Sequence, residues 1–249
     1  MQMISPLLSA ACGTGFIFAM SVLGSALVFF FASQVQVHIQ SVFMGFASGV
    51  MLAASVWSLL IPSMELGGSL SLPCWVPAAA GIILGSFFLY VLDGYIRRLS
   101  RFEQAGNALL VTAITMHNIP EGMAVGLAFA LAADREGLAA ASALALGIGI
   151  QNLPEGAAVA LPLRHEGVSR LKAFGIGAAS GAVEPVFGML AVFAAAVASP
   201  LMPWLLGFAA GAMLYVCVSE LIPSSCNIGG ISGFMLGFIL MMVLDVSLG

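Results

Sequence analysis

The chain has 249 residues, of which 61% are hydrophobic and only 7% charged, where a soluble domain carries roughly 25% charged residues. So few polar side chains cannot cover a water-facing surface, so the composition predicts an integral membrane protein without a separate soluble domain. Seven basic against eleven acidic residues, a net charge of −4, leave no basic patch for nucleic acid.

Apolar runs of roughly twenty residues or more, the length a bilayer requires, recur about eight times. Segment one runs from Leu7 to Phe31 and ends at Ser33-Gln34. It lacks a basic leader, so it is expected to be a retained transmembrane helix and not a cleaved signal. Segment two covers Ser41–Ile61 and should stop at Pro62, and segment three runs from Trp75 to Arg97-Arg98. Segments four (Ala108–Ala132) and five (Leu138–Leu163) end at Asp134-Arg135-Glu136 and Arg164-His165-Glu166. Segment six covers Ala173–Ala198, segment seven Leu201–Ile222 before Pro223, and segment eight Ile228–Leu248.

Six of the seven basic residues fall in two loops: Arg97, Arg98 and Arg101 after segment three, and Arg164, Arg170 and Lys172 after segment five. These loops share one side, predicted to be cytoplasmic, which puts both termini outside a cell (inner) membrane. Cys12, Cys74, Cys217 and Cys226 form no C-x-x-C and are expected to be packing residues, neither a disulfide framework nor a zinc cluster.

The first and last thirds of the chain repeat one another. Gly45-Phe46-Ala47-Ser48-Gly49-Val50-Met51-Leu52 matches Gly207-Phe208-Ala209-Ala210-Gly211-Ala212-Met213-Leu214, and Leu60-Ile61-Pro62-Ser63 matches Leu221-Ile222-Pro223-Ser224. Segment three has Gly81, Gly85 and Val91-Leu92-Asp93 where segment eight has Gly233, Gly237 and Val243-Leu244-Asp245. Segments one to three thus recur as six to eight. An offset of five segments makes the copies antiparallel, an inverted repeat of the kind that places a transporter's substrate near the midplane.

Segments four and five lie between the copies and carry the chemistry. His117-Asn118-Ile119-Pro120-Glu121-Gly122 recurs as Gln151-Asn152-Leu153-Pro154-Glu155-Gly156. His117 and Glu121 are four residues apart on one helix face, as are Gln151 and Glu155. Both motifs lie about 15–20 Å along their helices, near mid-bilayer. Each proline frees a carbonyl one turn back, and Gly122 and Gly156 permit close helix approach. Glu184-Pro185 in segment six sits at a similar depth. Three carboxylates, one imidazole and three amides therefore share the membrane interior. Ionised together they are too costly, so either protons or cations neutralise them. Imidazole with carboxylate oxygens suits borderline divalent metals: Zn²⁺, with Fe²⁺ and Mn²⁺ as alternatives.

The paired N-x-P-E-G motifs on segments four and five, with His117 before the first, resemble the ZIP (Zrt/Irt-like) divalent metal transporters. Ile148-Gly149-Ile150-Gln151 and Glu184-Pro185 are similar to the GufA-like, ZIP11-like branch. The resemblance implies a metal set of His117, Asn118, Glu121, Gln151, Asn152, Glu155 and Glu184, with Glu121 and Glu155 bridging two metals. Neutral Asn118 and Asn152 would make the second site weak, and Gln151 stands where many members have histidine. The histidine-rich loop of many members is absent between segments three and four. The family also implies movement of metal toward the cytoplasm.

The chain is thus predicted to be an all-α polytopic membrane protein, one transmembrane transporter domain over 1–249. Within it lie a first repeat (1–98), a central metal-site pair (107–164) and a second repeat (170–249). Expected partners are a divalent cation (Zn²⁺, or Cd²⁺, Fe²⁺ or Mn²⁺) and the lipid bilayer, with a homodimer left open and no catalytic cofactor. Segments one, four, five and six are expected to slide against two, three, seven and eight. An intramembrane metal-dependent hydrolase and an ion-coupled transporter of another solute are the alternatives; His117-x-x-x-Glu121 is not HExxH and offers no separate general base. Ser58 and Glu220 are candidates for an access path. Asp93 and Asp245 are expected as helix-end caps, His38 and His165 as solvated surface, and Met51 and Met213 as core.

Overall fold

The computed structural model describes residues 4–30, 37–68, 70–100, 106–165, 167–197 and 199–248. Arg101 and Glu166, and the side chains of His38, Arg97 and His165, lie outside the described residues. Every described element is helical. The α-helices are α1 (Ile4–Ala26), α2 (Val37–Ala54), α3 (Ile61–Gly67), α4 (Trp75–Ser100), α5 (Gly106–Leu131) and α6 (Arg135–His165). They continue with α7 (Arg170–Gly181), α8 (Val183–Val197), α9 (Met202–Val216), α10 (Ile222–Ser224) and α11 (Ile228–Leu248).

Seven described stretches are long and apolar enough to cross a bilayer: Pro6–Phe29, Ser41–Gly67, Trp75–Tyr95, Arg135–Arg164, Arg170–Val197, Met202–Ser224 and Ile228–Leu248. Helix α5, 26 residues long, packs among them. The chain is a polytopic α-helical membrane protein.

One expected stop is corrected. Pro62 does not end its span, which runs on to Gly67, whereas the span with Pro223 ends at Ser224, as expected. In each case a wide π-helical turn, Ser55–Leu60 or Cys217–Leu221, precedes the proline. The proline then falls in the first turn of a fresh short helix, where its missing N–H and its ring are tolerated. Segment six is divided at Ala182 into α7 and α8, so the Glu184-Pro185 step opens a helix instead of lying within one.

Four helix pairings organise the molecule: α2 with α11, α4 with α9, α1 with α6, and α5 with α8. The first two are glycine zippers. A methyl group on Gly45 or Gly49 would overlap the backbone of Gly230 or Phe234, and one on Gly233 or Gly237 that of Val42 or Phe46. On the other pair, Gly81 and Gly85 abut Gly207 and Phe208, and Gly211 abuts Ile82. Such small residues let helices approach to backbone contact, the main source of attraction where lipid is as apolar as the side chains. The glycines that align between the two thirds thus make equivalent contacts, each with a helix from the other third.

The same two pairings explain the aspartates. Asp93 and Asp245 are not helix-end caps. Asp93 Oδ2 accepts from the Tyr215 hydroxyl at 3.3 Å, tying α4 to α9, and Asp245 Oδ1 accepts from Ser58 Oγ at 2.6 Å, tying α11 to the α2 span. Ser58 is therefore engaged laterally. The outer faces of α4 and α11 present large apolar residues such as Ile83, Phe87, Leu236 and Ile239, as lipid contact demands. Met51 and Met213 are fully buried in the core, as expected. The cysteine reading needs correction: Cys12, Cys74 and Cys226 are exposed, and only Cys217 packs inside, because the other three fall on outward faces or at span ends.

A candidate metal centre between α5, α6 and α8

The two proline motifs continue unbroken within α5 and α6. Gly122 of α5 lies against the Glu184 backbone of α8, where any β-carbon would overlap it, and Gly156 of α6 lies against the Ser21 carbonyl of α1. The motif glycines thus set the helix spacing that brings the polar residues together. His117, Asn118, Glu121, Gln151, Asn152, Glu155 and Glu184 are all buried, at 5% exposure or less. The break at Ala182 puts Glu184 in the first turn of α8, where the helix dipole favours a carboxylate by about 0.3–1 kcal/mol.

Amide groups hold two of the carboxylates. Gln151 Nε2 donates to Glu121 Oε1 at 2.6 Å. Asn152 Nδ2 donates to Glu184 Oε1 at 3.0 Å and reaches the Ile17 carbonyl at 3.4 Å. Asn118 Nδ2 donates to the Ser180 carbonyl at 2.9 Å. Glu155 and Glu184 lie close enough to Glu121, and His117 to Glu155, for the four groups to interact electrostatically. Among the described residues no three His, Cys, Asp or Glu side chains close into one metal-sized shell. Gln151 and Asn152 hold Glu121 and Glu184 instead.

Among the described residues, eight buried side-chain polar atoms make no hydrogen bond, and seven of them belong here. They are His117 Nε2, Glu121 Oε2, Gln151 Oε1, Asn152 Oδ1, both oxygens of Glu155, and Glu184 Oε2. Six are oxygens, of carboxylates or amide carbonyls, and the seventh is an imidazole nitrogen. The amide N–H groups are already spent, so what remains is a surplus of lone pairs. No lysine or arginine is among the buried residues described. An ion taken out of water costs several kcal/mol even after relaxation. Three bare carboxylates would consume most of a folding stability of about 5–15 kcal/mol. The cluster therefore suits protons or a cation.

Two contributors escaped the sequence reading. Ser21 Oγ of α1 donates to Glu184 Oε1 at 2.8 Å. Its signal was present: Thr14, Ser21 and Ser25, spaced seven and four apart, give α1 one small, polar, buried face. Glu220, proposed only for an access path, comes to the centre itself. Its Oε2 lies 3.1 Å from His117 Nε2, an ion-pair distance without hydrogen-bond geometry, and its side chain is 26% exposed.

Residues 103–245 match the family described as ZIP zinc transporter. The chain is 36% identical to the zinc transporter ZIP11 of Xenopus tropicalis, with 98% of each protein covered. It is 41% identical to the zinc transporter GufA of Myxococcus xanthus over 78% of this chain and 81% of that one. Against the zinc transporter ZIPB of Bordetella bronchiseptica it is 36% identical, covering 93% of this chain and 79% of the relative. By these likenesses, and by a family match spanning more than half its length, the chain belongs to the ZIP zinc transporter family.

Proposed function

We propose that this protein carries divalent metal, zinc foremost, across the membrane toward the cytoplasm through the cluster between α5, α6 and α8. The observation that carries the reading is the surplus of six unbonded buried oxygens on Glu121, Gln151, Asn152, Glu155 and Glu184, with the unbonded imidazole nitrogen of His117 beside them. A divalent cation satisfies such a surplus; an organic solute would also need donors. Imidazole nitrogen with carboxylate oxygen suits Zn²⁺ above hard cations, with Cd²⁺, Fe²⁺ and Mn²⁺ as further substrates. The zinc-transporter names of the relatives support the same substrate. In this reading His117, Glu121, Gln151, Glu155 and Glu184 form the primary site. Neutral Asn118 and Asn152 make a second, weaker site beside it.

The transport step is alternating access by two groups of helices. The α2–α11 and α4–α9 zippers make a fixed wall, and α1, α5, α6, α7 and α8 carry the site past it. With α5 counted, eight spans arranged as an inverted repeat about the central pair put both termini outside. Sealed proteoliposomes offered Zn²⁺, Cd²⁺, Fe²⁺ and Mn²⁺ test the reading. Wild type should accumulate metal, and His117→Ala and Glu155→Ala should each cut flux by about 100-fold or more. Equal flux in both variants and wild type would remove the site assignment. Crosslinks between the two helix groups should stop transport; flux that survives them would remove the sliding step.

A further inference from the structure

The three carboxylates of the cluster differ in how their oxygens are used. Both oxygens of Glu155 are unbonded, and Glu121 Oε1 accepts from Gln151. On Glu184 two donors converge on one atom. Ser21 Oγ at 2.8 Å and Asn152 Nδ2 at 3.0 Å both reach Oε1, while Oε2 is buried without a hydrogen bond. A carboxylate oxygen offers about two lone pairs, so Oε1 is filled and Oε2 is wholly free. The backbone is shaped to hold this pair. Gly156 of α6 lies against the Ser21 carbonyl. A β-carbon on Gly181, the last residue of α7, would meet Ser21 Cβ at 2.8 Å and Glu184 Oε1 at 3.3 Å. On its own helix the Ser21 hydroxyl has the Ile17 carbonyl as an acceptor, but at 3.4 Å. Ser25, one turn further along α1, bonds backbone instead, the carbonyls of Ser21 at 2.9 Å and Gly156 at 3.3 Å.

We propose that Ser21 is a positioning residue that, with Asn152, keeps Glu184 a one-oxygen ligand and so biases the cluster toward Zn²⁺ over Mn²⁺. The proposal rests on the metal-site reading above. Ser21 acts through Glu184 and not on the cation. Zn²⁺ is satisfied by four ligands, whereas Mn²⁺ favours an octahedron of oxygens. A carboxylate that closes on a cation with both oxygens adds a ligand without drawing in another side chain, and that serves Mn²⁺. With Oε1 filled, this route is closed at Glu184, and Oε2 alone is offered in a fixed direction. Partners that orient a ligand in this way contribute about 10–100-fold in metal affinity.

The test compares the full chain, purified in detergent, as wild type, Ser21→Ala, Ser25→Ala and Glu155→Ala. Alanine brings no new atom against Gly181, so Ser21→Ala should stay monodisperse and melt cooperatively. Its Zn²⁺ affinity should fall by about tenfold while its Mn²⁺ affinity holds within about twofold. Infrared difference spectra on adding Mn²⁺ report how Glu184 binds, since the carboxylate bands lost in Glu184→Gln belong to it. The gap between its antisymmetric and symmetric stretches, wide for a one-oxygen ligand, should narrow in Ser21→Ala. Ser25→Ala loosens the same helix contact and should match wild type in both measurements. An equal fall in zinc affinity in Ser25→Ala would make the effect one of packing and overturn the role of Ser21. An unchanged Zn²⁺ to Mn²⁺ ratio with an unchanged band gap in Ser21→Ala overturns it too, and leaves the site standing. Glu155→Ala should lose metal binding; if it binds metal as wild type does, the site reading itself falls.

Discussion

The two groups of helices solve opposite problems. In the α2–α11 and α4–α9 pairs, backbone meets backbone through glycines, and the two aspartates are tied across by Ser58 and Tyr215. Around α5, α6 and α8, glycines also set the spacing, yet the polar atoms they bring together are left in surplus: seven of the eight unbonded buried atoms described. One group uses close packing to finish its interactions, with Asp245 Oδ2 the one unbonded buried atom described there, and the other to leave them unfinished. A structural polar network would look like the first. The second has the form of a binding site, because its unspent lone pairs become favourable only when something positive arrives.

The sharpest way to break the contrast is to fill a zipper. Gly49→Val or Gly85→Leu places a side chain inside the backbone of Phe234 or Phe208, which is not a movable side-chain tip. We expect no monodisperse protein from either. Gly15→Ala and Gly175→Ala, where a β-carbon meets nothing within 4 Å, should melt as wild type does. If Gly85→Leu folds and transports, the α4–α9 pair is not the rigid wall. The next largest effect belongs to the other group and to function alone. Glu184→Gln keeps the side chain's shape and its acceptor for Ser21 and Asn152 but can no longer offer a negative charge to a cation. Flux should drop by about 100-fold while the melting temperature changes little, since both hydrogen bonds to Oε1 survive the change. A large fall in stability would mean that Glu184 is a structural anchor.

How far this contrast was legible in the sequence differs between the groups. The repeated G-F-A-x-G segments and the matched Asp93 and Asp245 marked two equivalent halves, because glycine spacing along a helix is a local pattern. Which helix each glycine meets was not readable: α2 pairs with α11 rather than with α4, its neighbour in its own repeat. The buried polar residues that α5, α6 and α8 bring together were picked out, because a histidine or carboxylate in an apolar run is costly without partners. Ser21 and Glu220 were not placed there. A serine in a membrane helix can satisfy itself on its own backbone, as Ser25 does on the Ser21 carbonyl at 2.9 Å, so its sequence signal is weak. The π-helical turn that aims Glu220 inward changes the helix register, and no composition rule announces it. The end at Pro62 was misplaced for the same reason.

Glu220 lies where the groups meet. Glu220→Gln should lower zinc flux by about tenfold, less than loss of a ligand, because a neutral amide still reaches His117 but does not compete for it as an anion. Its signature is a change in turnover with little change in the metal concentration giving half-maximal flux. A large shift in that concentration with turnover intact would make Glu220 a ligand of the resting site.

The smallest effects test whether the two aspartate ties are equivalent. Ser58→Ala and Tyr215→Phe each remove one hydroxyl donor and leave the carboxylate behind. A hydrogen bond to a charged acceptor contributes about 1.5–3 kcal/mol, and a long one less. The Ser58–Asp245 bond at 2.6 Å is short, and the Tyr215–Asp93 bond at 3.3 Å is near the limit. Asp245 Oδ2 also has no hydrogen-bond partner, so losing Ser58 leaves that carboxylate with less support. Ser58→Ala should therefore cost about 2 kcal/mol and Tyr215→Phe about 0.5 kcal/mol in reversible unfolding. Neither should alter zinc flux, since each hydroxyl ties together two helices of the wall. Equal costs would mean that the two ties are energetically symmetric despite their different lengths. A large loss of zinc flux in Ser58→Ala would restore Ser58 to the cation's path and erase the division between the wall and the site.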